Sequence, residues 1–451
     1  VPYKTLSVLC IASFMGPFMG SAFNLALPEI ASTFSFNAVT LAWFPSSFLL
    51  STAILQIPFA RLGDMFGRKR IYLAGLSGLS LSILACPFSP GGGALIALRF
   101  LSGVFSAMMF SSSIAIVVSV VPPPMRGKAL ALNTASVYMA LAAGPAAGGF
   151  LTYYLGWQSI FFISAALTAC ARVLAGMFIK GEWAEARGEP FDAKGCLIFA
   201  CALSGLIYGF SNLPQVRGFT FVCVGLLALA AFAAFEKRTL YPLLDVKLFF
   251  ANRVFSLSCL SALISYAANS ATSFMLSLYL QYVKGLDADV AGLALITQAL
   301  VQVCSSLAAG RLSVSYAPAR LATCGMLLCA LGLFALSLAC EGASLVYLIA
   351  CQIIIGLGFG LFASPNTNVI MSSVEKRHYG QASASAGTMR MVGQALSMGL
   401  AAMALSIFVG DRPLSSALYP QLVSSFRMTF GLFTVLCLLG AYASRSRDKN
   451  D

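Results

Sequence analysis

Fourteen apolar runs, joined by short polar loops, dominate this chain. An α-helix needs about 20 apolar residues to cross the hydrocarbon of a bilayer. Fourteen such runs use roughly 280 residues at that length, so a chain of 451 keeps only short connections and no separate soluble domain. Composition agrees: 59% of residues are hydrophobic and 10% charged, against about 25% charged in a soluble domain. A soluble globular protein is excluded. Lipid offers no partner for an open backbone, so the spans must be helices, and the fold class is an all-α polytopic membrane protein.

The first run follows Val1 and Lys4 and ends near Leu27, without a small-residue cleavage site. We read it as a retained first helix and not a signal peptide. The others fall near Val39 to Ala60, Ile71 to Cys86, Ala94 to Val121, Ala129 to Tyr153, Trp157 to Ile179, Gly195 to Leu213 and Phe219 to Phe235. After a polar stretch come Phe255 to Val283, Val290 to Gly310, Leu321 to Cys340, Leu345 to Met371, Ala382 to Val409 and Phe426 to Ala443. Gly91 to Gly93, after Pro90, reads as a turn.

An even number of spans puts both termini on one side. The loops on that side hold 21 of the 28 Lys and Arg, the opposite loops hold Arg217, Lys284, Arg412 and Arg427, and Arg99, Arg172 and Arg390 lie within spans. By the positive-inside rule both termini are cytoplasmic, in a cell membrane of the inner or plasma type. The formal charge of +13 is therefore topological and does not indicate nucleic acid. The 13 Cys are scattered singly, with no C-x-x-C and one His in the chain, as expected of small packed hydrophobes and not of metal ligands or disulfides.

The loop Arg61-Leu-Gly-Asp-Met-Phe-Gly-Arg-Lys-Arg70 after the second span has a weak echo in Arg311 to Arg320 after the tenth, 250 residues on. Gly127, before the fifth span, has its counterpart in Gly380 before the thirteenth, 253 residues on. Two nearly equal offsets imply a duplicated six-span unit with an extra pair between the copies. This is the parallel-repeat plan of secondary transporters, with a site at the interface near the midplane. The expected division is a six-helix bundle over 1–180, two extra helices and a linker over 181–253, and a second six-helix bundle over 254–451. The linker from Glu236 to Arg253 mixes cations with Leu and Phe and is expected along the cytoplasmic interface.

These residues resemble the major facilitator superfamily and, within it, the fourteen-helix drug:proton antiporter family, over essentially the whole chain. Gly63-Asp-Met-Phe-Gly-Arg-Lys-Arg70 is similar to the superfamily's loop between helices 2 and 3, and Arg99-Phe-Leu-Ser-Gly103 to its R-x-x-x-G in helix 4. Gly144-Pro-Ala-Ala-Gly-Gly149 matches the G-P-x-x-G-G of antiporters, while Ser277 to Gly292 and Pro242 to Phe249 resemble segments of the fourteen-helix branch. One position departs: where the family's first helix carries an acid, Phe18 to Pro28 carries Met19.

The resemblance implies a conformational latch at Gly63, Asp64, Gly67, Arg68 and Arg70. Physically, the two glycines permit a tight turn and Asp64 can pair with Arg68. It also implies an antiporter motif at Gly144, Pro145, Gly148 and Gly149, where missing side chains allow close helix packing. Arg390 lies about 12 Å into its span, Arg99 about 8 Å from the outer end and Arg172 about 10 Å from the inner end. Charges at such depth usually face a cavity, although Arg172 can snorkel.

All fifteen acids fall in loops or at helix ends. Glu29 at the outer mouth and Arg99 are thus the candidates for proton coupling. Polar groups that mark a substrate pathway are Asn24, Asn133, Tyr138, Asn269, Gln298, Gln302, Arg390 and Gln394, accompanied by Ser21, Gln281, Asn366 and Asn368; helix-to-helix hydrogen bonding accounts for each equally well. No enzyme motif is present and no cofactor is expected. The function expected is proton-coupled export of amphipathic compounds by a monomer through alternating access, with substrates, protons and the bilayer as its partners. A cavity with arginines and no buried acid should prefer neutral or anionic amphiphiles to cations. A uniporter or importer of a small anionic metabolite, and a lipid translocase, remain the alternatives.

Overall fold

The computed structural model describes residues 3–122, 126–213, 215–244, 246–313, 315–375, 379–410 and 418–446. Pro123, Asp245, His378, Asp411 and Arg412, with the loops around them, lie outside the described residues. The helices are α1 (Tyr3–Phe34), α2 (Ala38–Phe66), α3 (Arg68–Ala85), α4 (Gly92–Val120), α5 (Arg126–Leu155), α6 (Gln158–Phe178), α7 (Ala193–Ser211) and α8 (Val216–Glu236). There follow α9 (Val246–Ala251), α10 (Arg253–Asn269), α11 (Thr272–Leu278), α12 (Ala288–Leu312), α13 (Pro318–Ser337), α14 (Leu345–Ser372), α15 (Tyr379–Phe408) and α16 (Tyr419–Arg445). No strand occurs among the described residues. Fourteen stretches are long and apolar enough to cross a membrane, the number the sequence implies.

Three boundaries differ from expectation. α1 runs on through Pro28 to Phe34 because Ile30 and Ala31 are still buried in the bundle, which brings Glu29 inside the helix. α16 starts at Tyr419, a turn and more before Phe426, with Leu422 and Val423 buried. The glycine turn is shorter than expected, since α4 already begins at Gly92, packed so tightly on the Phe36 ring that a Cβ would collide with it.

Helix starts follow local chemistry. Asn37 accepts from the Thr40 N–H at 2.7 Å to open α2, Asp192 from Gly195 at 2.9 Å to open α7, and Ser344 from Tyr347 at 3.1 Å to open α14. Each satisfies a donor that the first turn leaves without a carbonyl.

The same neighbour scheme occurs twice. α1 packs on α5 and α6, α2 on α4, and α3 on α4 and α6; α10 packs on α15 and α16, α12 on α14, and α13 on α14 and α16. Each set is a six-helix bundle, and the two meet along α2 with α15 and α5 with α12, the second span of one against the fifth of the other. α7 and α8 form a separate hairpin. Phe199, Leu203 and Ile207 of α7 share an apolar core with Leu50, Ile54 and Ile57 of α2 and with Met391, Val392 and Ala395 of α15. The extra pair thus covers the α2/α15 seam. Its outward side is apolar, with Leu227 of α8 71% exposed, as a lipid-facing surface requires.

Candidate functional site

At the end of the molecule where α2 gives way to α3, Gly67 adopts φ +117°, a backbone region costly for any residue with a Cβ. The break brings Arg68 Nε to Asp64 Oδ1 at 2.6 Å. Arg68 also donates to both carboxylate oxygens of Glu185, at 3.2 and 3.0 Å, and to Ser119 Oγ of α4 at 3.2 Å. Glu185 belongs to a segment between α6 and α7 that folds back over the loop. Its Glu182 accepts from the Lys69 N–H at 2.8 Å and lies 3.7 Å from Arg70 Nε, and its Glu189 pairs with Arg61. Backbone bonds from Arg68 to Trp183 and from Ala186 to Asp64, both 2.9 Å, stitch the two together. The segment turns at Gly181 (φ +98°) and Gly188 (φ +83°). We refer to this as the basic end.

At the opposite end the bundles seal backbone to backbone. Across the seam a Cβ on Gly149 would lie 2.3 Å from the Ala288 carbonyl of α12, while within the first bundle one on Gly148 would lie 2.5 Å from the Ala22 carbonyl of α1. Gly292 of α12 faces the Pro145 carbonyl equally closely, and Gly144 sits on Ser21 and the Phe18 carbonyl. Nearby, α11 reaches α1: Ser277 Oγ donates to the Asn24 carbonyl at 2.5 Å and Gln281 Nε2 to that of Leu25 at 3.3 Å.

Between these ends, side chains from both bundles converge. Tyr138 of α5 lies beside Ser306 of α12 and within the field of Arg390 of α15, which in turn stands beside Tyr266 of α10. The Tyr266 ring packs edge-on against Phe359 of α14, centroids 5.3 Å apart. Arg390 Nε is buried without a hydrogen-bond partner. Counting about 1.5 Å per residue, Arg390 stands roughly 16 Å into α15 and Tyr138 roughly 18 Å into α5, close to mid-membrane. Beside this cluster the ninth span breaks at Ser270 and Ala271, and Ser397 Oγ of α15 accepts the freed Ala271 N–H at 2.9 Å. A π turn over Tyr279–Val283 follows. Interrupted helices of this kind are tolerated at membrane depth where they line a protected site.

Other candidates lie elsewhere. Arg99 is inside the first bundle, 2% exposed, with the Phe23, Phe44 and Phe48 rings 4.7 to 4.9 Å from its guanidinium and no partner for Nε or Nη1. It does not border the space between the bundles. Glu29 is half-buried at the sealed end, beside the Trp157 backbone at the start of α6. Arg172 donates to Ser77 Oγ at 3.1 Å and so ties α6 to α3. Asn269 is buried with its Nδ2 on the Ser265 carbonyl, and Asn133 is buried with a free Oδ1. Gln302 is buried and Gln298 and Gln394 are half-buried. The backbone of α12 at Gln298 and Gln302 packs on Gly356 of α14.

A family model described as Major Facilitator Superfamily matches residues 9–398 and, separately, 258–449. The chain belongs to the major facilitator superfamily. Similar proteins include the uncharacterized transporter YebQ of Escherichia coli (strain K12), 30% identical over 91% of this chain and 90% of that one. The riboflavin transporter RibZ of Clostridioides difficile (strain 630) is 28% identical over 87% of this chain and 85% of its own length. The multidrug resistance protein Stp of Mycobacterium tuberculosis (strain CDC 1551 / Oshkosh) is 28% identical over 93% and 78%. Among solved structures, an inward-facing, unoccupied bacterial homologue of the human lysosomal transporter Spinster superposes with a TM-score of 0.72 at 16% identity, covering 99% of this chain and 97% of that one. The peptide transporter POT in complex with sulfate gives 0.73 at 14%, covering 98% and 95%.

As a member of this superfamily the chain is a multi-pass membrane transporter and not an enzyme. Sequence reasoning passed over Tyr266, Ser306 and the break at Ser270. A lone Tyr or Ser in an apolar run carries no local sign of function. The one available signal was Arg390, whose cost at span depth requires polar company from another helix.

Proposed function

We propose that the transporter exports amphipathic compounds by rocking its two bundles about the Tyr138, Tyr266 and Arg390 cluster, in exchange for protons, with the basic end in the cytoplasm. The observation that carries this reading is Arg390 beside two tyrosines, with Nε unpartnered. A guanidinium with a free donor binds an anionic or carbonyl oxygen, and flanking rings stack on an apolar body. The cluster holds no carboxylate, so the preferred substrates are neutral or anionic aromatic amphiphiles. Because its members come from both bundles, rocking separates them and releases the ligand. Relatives named for export of tetracenomycin C and of cephamycin support the direction of transport.

We assign the proton exchange to Glu29. Its carboxylate lies against the Trp157 backbone at the start of α6. A proton arriving from the sealed side removes the charge from that contact and loosens α1 from α6. Arg99, caged by three phenyl rings, acts as a fixed positive charge within the same bundle. The latch at Asp64 and Arg68 and the glycine seal at Gly149 and Gly292 hold the two ends in turn.

The test is proton flux in proteoliposomes under an imposed pH gradient, on addition of neutral, anionic and cationic amphiphiles. Exchange of neutral and anionic compounds that collapses the gradient in wild type, and fails to do so in Glu29→Gln, supports the proposal. Transport without proton flux makes the protein a facilitator of anions, and efficient export of cations alone overturns the substrate assignment.

A further inference from the structure

Two carboxylates face each other at the base of the α7 to α8 hairpin, far along the chain from both candidate proton groups. Asp192 precedes α7 and Glu236 ends α8. Asp192 Oδ2 and Glu236 Oε1 both lie within 2.4 Å of the point where a Cβ on Gly195 would stand. Glu236 is 2% exposed, and neither oxygen has a hydrogen-bond partner.

Their remaining oxygens are already used. Asp192 Oδ1 accepts the Gly195 N–H at 2.9 Å, and Glu236 Oε2 accepts the Leu244 N–H at 3.3 Å, with a further backbone bond from Leu243. Among the described residues no cation acts on Glu236. Phe191, Phe199, Phe232, Leu243 and Val246 enclose the site, and the Cys196 thiol stands one turn into α7. The cations Lys194 and Arg238 are exposed, and Lys237 lies over the Phe250 ring at 3.5 Å. Glu189, on the approach to Asp192, pairs with Arg61 of α2. α15 contributes Met391, Val392 and Ala395, all apolar.

Two anionic oxygens held together without a cation repel strongly in such a setting, whereas one proton between them turns repulsion into a hydrogen bond. We propose that Asp192 and Glu236 share a single proton and form a protonation site that clasps the hairpin base to the linker entering the second bundle. The clasp joins three places: the segment that covers the latch, the end of α8, and Leu243 and Leu244, which pack toward α2 and α15. It is closed with the proton bound, and loosens as pH rises and the proton leaves. Two carboxylate oxygens and no third acidic, thiol or imidazole ligand among the described residues suit a proton better than a metal ion. This site is distinct from the transport reading and does not rest on it.

The experiment is infrared difference spectroscopy of the full-length protein in lipid, titrated from about pH 5 to about pH 10, a window that starts just above the ordinary carboxyl range. Wild type shows one protonated-carboxyl C=O stretch that persists at neutral pH and disappears in the alkaline limb. That stretch is absent from Glu236→Gln and from Asp192→Asn, either of which keeps a hydrogen bond between the pair. Amide exchange at Leu243 and Leu244 in wild type above the transition is about tenfold faster than in Glu236→Gln at the same pH, equivalent to about 1.4 kcal/mol. A spectrum with no carboxyl band lost in either variant overturns the proposal. So does a band removed by adding calcium or sodium ions at neutral pH, which makes the pair a cation site.

Discussion

Arg68 Nε and Asp64 Oδ1 stand 2.6 Å apart across the Gly67 break that ends α2 and begins α3. The pair is one helical turn long, so it stiffens the corner, while the rest of the Arg68 fork is taken by Glu185 from the segment between α6 and α7 and by Ser119 of α4. The network around Arg68 that we propose as a latch thus includes an acid from the chain leaving the first bundle.

Removing one acid leaves the other, and the two substitutions should differ. Side-chain exposure is 33% for Asp64 and 70% for Glu185, so the first bond is less screened by solvent. Asp64→Asn should cost about 1–2 kcal/mol of the latched state and lower the transport rate by about tenfold, with insertion unchanged. Glu185→Gln should cost less than half of that on a free-energy scale. Substrate efflux from vesicles, normalised to the inserted protein, measures both.

The seal at the opposite end should fail by volume and not by charge. A methyl group at position 149 has nowhere to go, since the Ala288 carbonyl already lies 2.3 Å from the Cβ position. Gly149→Ala should force α5 and α12 apart at a cost of about 1–3 kcal/mol and raise passive proton leak through reconstituted vesicles. Gly20→Ala, where nothing lies within 4 Å of the added carbon, should leave leak unchanged and serves as the matched control.

Much of this architecture is legible in the residues themselves. Span number follows from hydrocarbon thickness, the Gly63 to Arg70 turn from its glycine and charge spacing, and the packing of α5 from Gly148 and Gly149. What the sequence hides is partnership over long distance. Glu182, Glu185 and Glu189 look like ordinary solvated acids, and only the fold shows that they meet Arg70, Arg68 and Arg61. Ser397 looks like helix filler until the break at Ala271 presents an N–H to it. Arg99 looks like a cavity residue because charge at depth is costly, yet three phenyl faces from α1 and α2 surround it instead. In each case the deciding contact lies more than 100 residues away along the chain, or is made by side chains with many possible neighbours.

Tyr266 and Arg390 give a prediction about selectivity. Tyr266→Phe removes the hydroxyl beside the guanidinium and keeps the ring packed on Phe359. The freed Arg390 then binds anions more readily, so KM for anionic amphiphiles should fall while that for neutral ones stays within about twofold, less than 0.5 kcal/mol. Arg390→Gln should act in the opposite sense and raise KM for anions by about tenfold or more, the loss of one charge-assisted hydrogen bond. Competition between neutral and anionic substrates in one vesicle preparation reads both effects together.

Arg99 separates stability from function. Its guanidinium meets three aromatic rings, each contact contributing about 0.5–2 kcal/mol, but burial of an unpaired charge costs several kcal/mol and Nε and Nη1 make no hydrogen bond. Desolvation outweighs ring attraction, so the native residue is a net burden on the bundle. Met has a similar reach, carries no charge and makes favourable sulfur to ring contacts. Arg99→Met should hold or raise the thermal unfolding midpoint of the purified protein in detergent, by up to about 1–4 kcal/mol in stability, while transport is lost. Arg99→Lys keeps the charge but not the flat stacking surface, and should lower the midpoint and retain part of the activity. If Arg99→Met transports as well as wild type, the charge has no role in the cycle, and the phenyl cage is packing alone.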